Sequence, residues 1–184
     1  MSSSLNNARE RMEKALETVR REFSGVRTGK ASPALLDSVR VEAYGSMLPV
    51  NQVGQVSAPE PRMLTVVPYD KSLIKAVERA LRESDLGLNP SNDGAMIRIP
   101  LPPLTEERRR EYVKLLHRYA EEGRVAVRQA RQHANDDIKK RQKDGELTED
   151  EMRRSQDQVQ KLTDEYVHKV DDLLKKKEAE VLEV

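Results

Sequence analysis

Residues 105–141 read TEERRREYVKLLHRYAEEGRVAVRQARQHANDDIKKR, and this stretch decides the fold. It has no Gly–Pro break, Thr105 is a good N-cap, and Glu106 and Glu107 favour the first turn. Apolar or small side chains recur at helical spacing. They are Tyr112, Leu116, Tyr119, Gly123, Val127, Ala130, Ala134 and Ile138. One helix of this length is roughly 55 Å long, so it needs partner helices along its whole length.

The N-terminal segment supplies one partner. A single apolar stripe predicts a helix over residues 5–26. Its members are Leu5, Ala8, Met12, Leu16, Val19, Phe23 and Val26. Either Ser4 or Asn6 can cap its start. Thr28 and Gly29 are predicted to end it, with Gly29 in the left-handed conformation.

The C-terminal segment supplies the second partner. Residues 143–146 (KDGE) predict a tight turn between helices, and Thr148 with Glu151 matches a capping box. Leu147 and Met152 occupy the two positions of a hydrophobic staple. The apolar stripe of the last helix then follows. It consists of Val159, Leu162, Tyr166, Val170, Leu173 and Val181.

The intervening residues have a different pattern. Short strands are predicted around residues 39–43, 47–50, 53–56, 63–67 and 96–99, with a turn at Gly45–Ser46 and loops over 85–94. Asp70 is predicted to cap a helix over residues 73–82.

The predicted fold class is therefore α+β. An antiparallel three-helix bundle (residues 1–29 and 105–184) carries an inserted small β/α/β domain (residues 30–104). The chain crosses between them twice, through segments rich in Gly or Pro. These crossings fit either a two-strand hinge or rigid loops.

Composition excludes several classes of protein. The 184 residues have a net charge of only +1, so a nucleic-acid surface requires local segregation of charge. Residues 105–142 hold eleven basic and seven acidic side chains, whereas residues 146–184 hold seven and twelve. The chain has no Cys, which excludes thiolate chemistry. No apolar run is long enough for a signal peptide or membrane span, so we expect a cytoplasmic protein without a membrane partner.

Enzyme signatures are also absent. The sequence has no phosphate-binding glycine loop and no nucleophile elbow. His117 and His133 lie sixteen residues apart on one helix, more than about 20 Å, so no metal set is predicted. We therefore expect no catalytic residues, no metal and no cofactor.

Arg124, Arg128 and Arg131 form the most distinctive charged pattern. Their i, i+4, i+7 spacing places them on one helical face, and residues 123–135 contain no acid. They either pair with acids of the last helix or bind a phosphate backbone, whose oxygens match arginine forks. Spacing alone favours the pairing between helices.

Four motifs then identify a family resemblance. Residues 27–33 (RTGKASP), 84–90 (SDLGLNP), 102–109 (PPLTEERR) and 124–128 (RVAVR) resemble bacterial ribosome recycling factors, and the resemblance covers essentially the whole chain. It implies an L-shaped protein with a flexible hinge. It also implies a function after peptide release, when the factor splits the post-termination ribosome together with elongation factor G and GTP, allowing release of mRNA and deacylated tRNA.

The resemblance implies specific residue roles. The bundle of a monomeric factor is expected to bind large-subunit rRNA. Candidate rRNA-binding residues are Arg27, Lys30, Arg108, Arg109, Arg124, Arg128 and Arg131. Candidate hinge residues are Gly29, Ala31, Ser32, Pro33, Pro102, Pro103, Leu104 and Thr105.

Two positions depart from the family pattern. Lys30 stands where the family usually has Arg, which keeps the charge but loses the bidentate fork. Gln132 and His133 follow Arg131 where a second Arg is common, so RNA contact is not expected there. The alternative function is a helical scaffold or chaperone-like bundle that binds protein.

Overall fold

The computed structural model describes residues 3–183. Its α-helices are α1 (Ser3–Ser24), α2 (Val50–Val53), α3 (Ile74–Glu83), α4 (Glu106–Lys143) and α5 (Glu149–Leu182). Its strands are β1 (Arg40–Ala43), β2 (Ser46–Pro49), β3 (Gly54–Glu60), β4 (Met63–Pro68), β5 (Ser91–Asn92) and β6 (Ile97–Pro100). Short 3₁₀ helices cover Pro33–Leu36 and Lys71–Leu73. No helix within residues 3–183 is long and apolar enough to cross a membrane.

The described residues form two compact units. Residues 3–23 and 113–179 form one, which we call the bundle unit, and residues 24–112 and 180–183 form the other, the mixed unit. The predicted domain boundaries at 29/30 and 104/105 lie inside the mixed unit, and they remain predictions. Their outer limits at residues 1 and 184 lie outside the described residues.

Contacts within the bundle unit fix the direction of its three helices. Ser4 near the start of α1 donates to Asp137 near the end of α4, so these two helices run antiparallel. The imidazole of His117 lies 3.2 Å from Glu178, near the end of α5, so α4 and α5 also run antiparallel. Tyr166 of α5 completes the packing with a 2.6 Å hydrogen bond to a carboxylate of α1.

The predicted stripes form the bundle core with small shifts. In α4 most predicted seam residues are buried, but Tyr112 and Tyr119 are half-buried and Ala120 is buried instead. In α5 the prediction of Leu173 is wrong because Leu174 is the buried residue. Leu174 lies four residues after Val170, which places it on the same helical face.

The predicted starts of α4 and α5 are both confirmed. The Thr105 hydroxyl accepts from the backbone N–H of Arg108 at 3.2 Å, which confirms the N-cap of α4. Thr148 and Glu151 form the predicted reciprocal box, with N–H to side-chain distances of 2.8 and 3.2 Å. Gly145 supplies the positive φ, +76°, at the turn between α4 and α5.

The predicted end of α1 is wrong. The helix ends at Ser24, and Gly29 does not have a left-handed conformation. Gly25 follows directly, and a glycine costs a helix interior about 1 kcal/mol relative to alanine. Beyond it, Val26 is buried and is grouped with the mixed unit.

The mixed unit contains two antiparallel sheets. One is the β1–β2 hairpin, and the other has the strand order β3-β4-β6-β5. The hairpin turn is Tyr44–Gly45 rather than the predicted Gly45–Ser46, because both of these residues have positive φ, as a type I′ turn requires. Residues 91–92, predicted as loop, form β5 by pairing with β6.

One side of α3 covers the core of this unit. Its Ile74, Val77 and Leu81 are buried together with residues of β1, β4 and β6. Asp70 accepts a 2.9 Å hydrogen bond from the Ser72 N–H, so the predicted cap acts on the 3₁₀ turn that leads into α3. The opposite side of α3 is exposed to solvent.

Candidate nucleic-acid interface

The α4 arginines lie in the bundle unit along about two turns of helix. Arg124 is the most enclosed of the three, with a side chain only 18% exposed. It forms ion pairs with Asp171 of α5 at 2.7 Å and with Glu121 at 3.0 Å. Burial alone would lower the pKa of Arg124, but these hydrogen-bonded carboxylates raise it. Arg124 therefore links α4 to α5 through its ion pair with Asp171.

Arg128 is more accessible. Its side chain is 47% exposed and contacts the other oxygen of Glu121 at 3.2 Å. Hydrogen bonds from Arg124 and then Arg128 lower the pKa of Glu121. Glu121 therefore stays ionised between two arginines and orients both.

Arg131 contacts a neutral group. Its guanidinium donates to the side-chain oxygen of Gln160 at 3.3 Å, and the residue is half-buried. An amide oxygen orients the fork without cancelling its charge. The guanidinium N–H donors of Arg128 and Arg131 are thus oriented on this face by their contacts with Glu121 and Gln160.

Glu121 was missed by the sequence reasoning. It lies two residues before the acid-free window, yet it is three residues from Arg124 and seven from Arg128. Residues three and seven apart share a helical face. A search for acids at those spacings outside the window would have found it.

The remaining candidates lie in the mixed unit. Arg27 is half-buried and donates to the Pro102 carbonyl, and burial lowers its pKa. Lys30 is 71% exposed, with its ammonium 3.4 Å from Glu183. Arg27 therefore links two segments of the mixed unit, whereas the side chain of Lys30 is accessible to a binding partner.

Arg108 and Arg109 differ in the same way. Arg108 is 65% exposed and pairs with Glu111 at 3.1 Å. Arg109 is half-buried and donates weakly, at 3.5 Å, to the Leu182 carbonyl. Its Nε is buried and has no hydrogen-bond partner among the described residues. Arg108 is thus the accessible member of this pair.

The first predicted hinge segment, and the residue directly before the second, are anchored inside the mixed unit. The Ala31 N–H donates to the Pro61 carbonyl at 2.6 Å, and the Leu101 N–H donates to the Arg62 carbonyl at 2.8 Å. Ala31 of the first segment and Leu101, directly before the second, therefore attach to the same turn between β3 and β4. Leu104 of the second segment is buried.

The histidines do not assemble a site. His117 lies beside Glu178, and His168 lies 3.3 Å from Asp172 of its own helix. Within residues 3–183, no group of three His, Asp or Glu side chains is arranged to hold a metal ion.

The fold and these side chains define a class of protein: a two-unit α+β protein whose longest helix presents arginines along one face. A family model described as "Ribosome recycling factor" matches residues 19–182. The ribosome-recycling factor of Symbiobacterium thermophilum is 56% identical over 180 residues, covering 98% of this chain and 97% of the relative.

Solved structures agree with this match. A solution structure of the ribosome recycling factor has a TM-score of 0.80 and 42% identity, covering 98% of this chain and 96% of that one. A second similar structure has a TM-score of 0.70 and 48% identity. It comes from models of the T. thermophilus ribosome recycling factor and the E. coli elongation factor G bound to the E. coli post-termination complex. It covers 98% of this chain and 97% of that one.

The chain belongs to the ribosome recycling factor family. The predictions of this family, of the α+β fold class and of a function in ribosome recycling are confirmed at this level. The family is one of translation factors rather than of catalytic enzymes.

Proposed function

We propose that this protein is a cytoplasmic, monomeric translation factor that recycles ribosomes after termination. Together with elongation factor G and GTP, it splits the post-termination complex so that mRNA and deacylated tRNA are released. The protein contributes no catalytic residue, since GTP hydrolysis belongs to its partner. The observation that carries the proposal is the arginine face of α4 in a chain of this family.

Arg128 and Arg131 are the proposed principal contacts to large-subunit rRNA. Both are oriented by Glu121 or Gln160 contacts, so less side-chain entropy is lost on binding. Planar guanidinium forks match phosphate oxygens in a way that an ammonium group does not. Lys30 and Arg108 are proposed as additional, more exposed contacts.

Arg27, Arg109 and Arg124 have a supporting role in this proposal. Each is partly enclosed and bonded to a carbonyl or carboxylate of its own unit. Removing one of them is expected to disturb local structure before it removes an RNA contact. Their contribution to rRNA binding is therefore mainly to position neighbouring cations.

The mechanical part of the proposal concerns the hinge. The bundle is the rigid arm held on rRNA, because its three helices pack along an almost continuous seam. The inserted domain is the arm displaced by the translocating GTPase. The hinge is formed by Gly29, Ala31, Ser32 and Pro33 in one crossing and by Pro102, Pro103, Leu104 and Thr105 in the other.

Ribosome co-sedimentation at several salt concentrations tests the RNA contact. The double variant Arg128→Ala/Arg131→Ala should bind more weakly, and its log–log salt slope should fall by about 2, because roughly 0.9 counterion is released per phosphate neutralised. Far-UV circular dichroism should be unchanged.

The matched control is Arg110→Ala/Arg153→Ala. These arginines also lie on α4 and α5, are exposed, and pair with Glu four residues earlier. The control should retain the wild-type slope. Unchanged binding of the first variant removes Arg128 and Arg131 from the site, and salt-insensitive binding to a protein instead of ribosomes supports the scaffold alternative.

A further inference from the structure

Two tyrosines of the mixed unit are unusually exposed. Tyr44 is 73% exposed and Tyr69 is 71% exposed, whereas Phe23 and Tyr166 of the bundle are almost completely buried. An aromatic ring usually buries most of its area when a chain folds. Exposed large side chains that lie close together, rather than singly, point to a place where another molecule binds.

The two rings lie in one neighbourhood. The Tyr44 hydroxyl donates a 2.8 Å hydrogen bond to Asp70, the residue that follows Tyr69. The Tyr69 N–H is held by the Val53 carbonyl at 3.0 Å. The side chain of Tyr44 and the backbone of Tyr69 are thus each held by a specific hydrogen bond.

Tyr44 is also held in an unfavourable backbone conformation. Its φ of +54° is positive, and among the described residues it is the only non-glycine with a positive φ. This turn position favours Asn, Asp or Gly. Strain of this kind concentrates at functional sites, and it keeps the Tyr44 ring at the tip of the β1–β2 hairpin.

A row of cations begins beside these rings. Lys71 lies in the 3₁₀ turn that leads into α3, and Lys75 and Arg79, four residues apart, follow on the solvent side of α3 itself. All three are exposed. No carboxylate within residues 3–183 forms an ion pair with any of the three. The nearby acid Glu78 is already paired with Arg82 at 2.6 Å and hydrogen-bonded by Asn92.

Other acids at the edges of this row are partly engaged. Asp70 accepts from the Ser72 N–H, the Ser72 hydroxyl and Tyr44. Glu83 lies one turn beyond Arg79, at the end of α3. The part of the surface between them, from residue 71 to residue 79, therefore has a local excess of positive charge.

We propose that Tyr44, Tyr69, Lys71, Lys75 and Arg79 form a second RNA-binding surface, the tyrosine–lysine surface, which takes unpaired nucleotides. Exposed rings stack on bases without sequence preference, and neighbouring cations hold the phosphates. An acidic protein partner would use the cations but would not need two exposed tyrosine rings beside them. This surface is separate from the α4 arginines and does not depend on the function proposed for them.

The test is an NMR titration of the full-length, ¹⁵N-labelled protein with an oligouridylate of about eight nucleotides at low salt. Amide shifts should concentrate at Tyr44 and from Tyr69 to Arg79. Shifts confined to the α4 arginine face overturn the proposal. Equal shifts at this surface with oligoglutamate, at equal affinity, also overturn it, because they show that charge alone is recognised.

Variants separate stacking from charge. Tyr69→Ala should weaken oligouridylate binding at this surface about 10-fold, since stacking contributes roughly that much per base. Lys71→Ala/Lys75→Ala/Arg79→Ala should lower the log–log salt slope by about 2, at about 0.7 per phosphate of a single strand. Unchanged affinity and slope in both variants overturn the proposal.

Two controls complete the design. Lys139→Ala/Lys140→Ala/Lys161→Ala removes the same charge from exposed positions of the bundle unit and should leave these shifts unchanged. Arg128→Ala/Arg131→Ala should also leave them unchanged while ribosome binding weakens. Failure of this proposal is therefore distinguishable from failure of the proposed recycling function.

Discussion

Gly123→Ala should destabilise the bundle, although alanine is the better helix former. Gly123 is buried in α4, and a Cβ placed there would lie closer than 3.0 Å to Val19 Cγ2 of α1 and 3.9 Å from Val170. Carbon atoms pack at about 3.5–4.0 Å, so at least one helix has to move. Valine cannot easily rotate away, because its χ1 is restricted in a helix.

The two opposing effects can be compared in magnitude. Replacing glycine by alanine in a helix stabilises by about 1 kcal/mol. Overpacking a well-packed core costs about 1–3 kcal/mol, and the close approach to Val19 places this site at the upper end of that range. The expected result is a loss of about 2 kcal/mol in the free energy of unfolding.

Urea unfolding followed by circular dichroism at 222 nm measures this change. The companion variants are Val19→Ala and Val19→Ala/Gly123→Ala, because removing the valine methyls opens space for the new Cβ. Contacting residues should show a coupling energy of about 0.5–3 kcal/mol. A Gly123→Ala protein as stable as wild type, or more stable, refutes the close-packing argument, as does a coupling energy near zero.

Three further predictions concern single side chains. Thr148→Ala removes the hydroxyl that caps α5 and should cost about 1 kcal/mol of unfolding free energy relative to Thr148→Ser, measured in urea. Burial, and then a hydrogen bond to a carboxylate, raises the pKa of Tyr166 to about 12. The protonated Tyr166 hydroxyl therefore contributes fully to the free energy of unfolding below about pH 10, and this contribution is lost as the pH rises to about 12. In a curve of unfolding free energy against pH, Tyr166→Phe should abolish the decline between these two pH values. Glu121→Gln removes the charge that pairs with Arg124 and Arg128 but keeps an amide oxygen to orient them, as Gln160 does for Arg131, so ribosome affinity and its salt dependence should both increase in co-sedimentation. A decrease in both would contradict this prediction.

The helical part of the fold could be predicted because its signals are local. Periodic apolar residues, the Thr105 cap and the Thr148–Glu151 box each depend on neighbours within one or two turns. The end of α1 could not be predicted in this way. Val26 looked like a continuation of the stripe, and it is buried, but the helix has already ended at Ser24 and this residue is grouped with the mixed unit, which periodicity does not reveal.

The candidate site was predictable in part. The spacing predicted that Arg124, Arg128 and Arg131 share one helical face. It could not predict which of them forms an ion pair with an acid of α5. Only Arg124 makes that pair strongly, while Arg131 contacts a neutral amide. The tyrosine–lysine surface was not predicted, because it depends on the Tyr44–Asp70 hydrogen bond between two distant turns.

The most direct test of the account is a subunit-splitting assay on purified post-termination ribosomes, measured by light scattering. The wild-type protein is expected to split ribosomes only with elongation factor G and GTP. The Arg128→Ala/Arg131→Ala variant should require much higher concentrations, while Arg110→Ala/Arg153→Ala should behave like wild type. Full splitting by the Arg128→Ala/Arg131→Ala variant at wild-type concentrations would contradict the proposed binding of rRNA by Arg128 and Arg131 of α4.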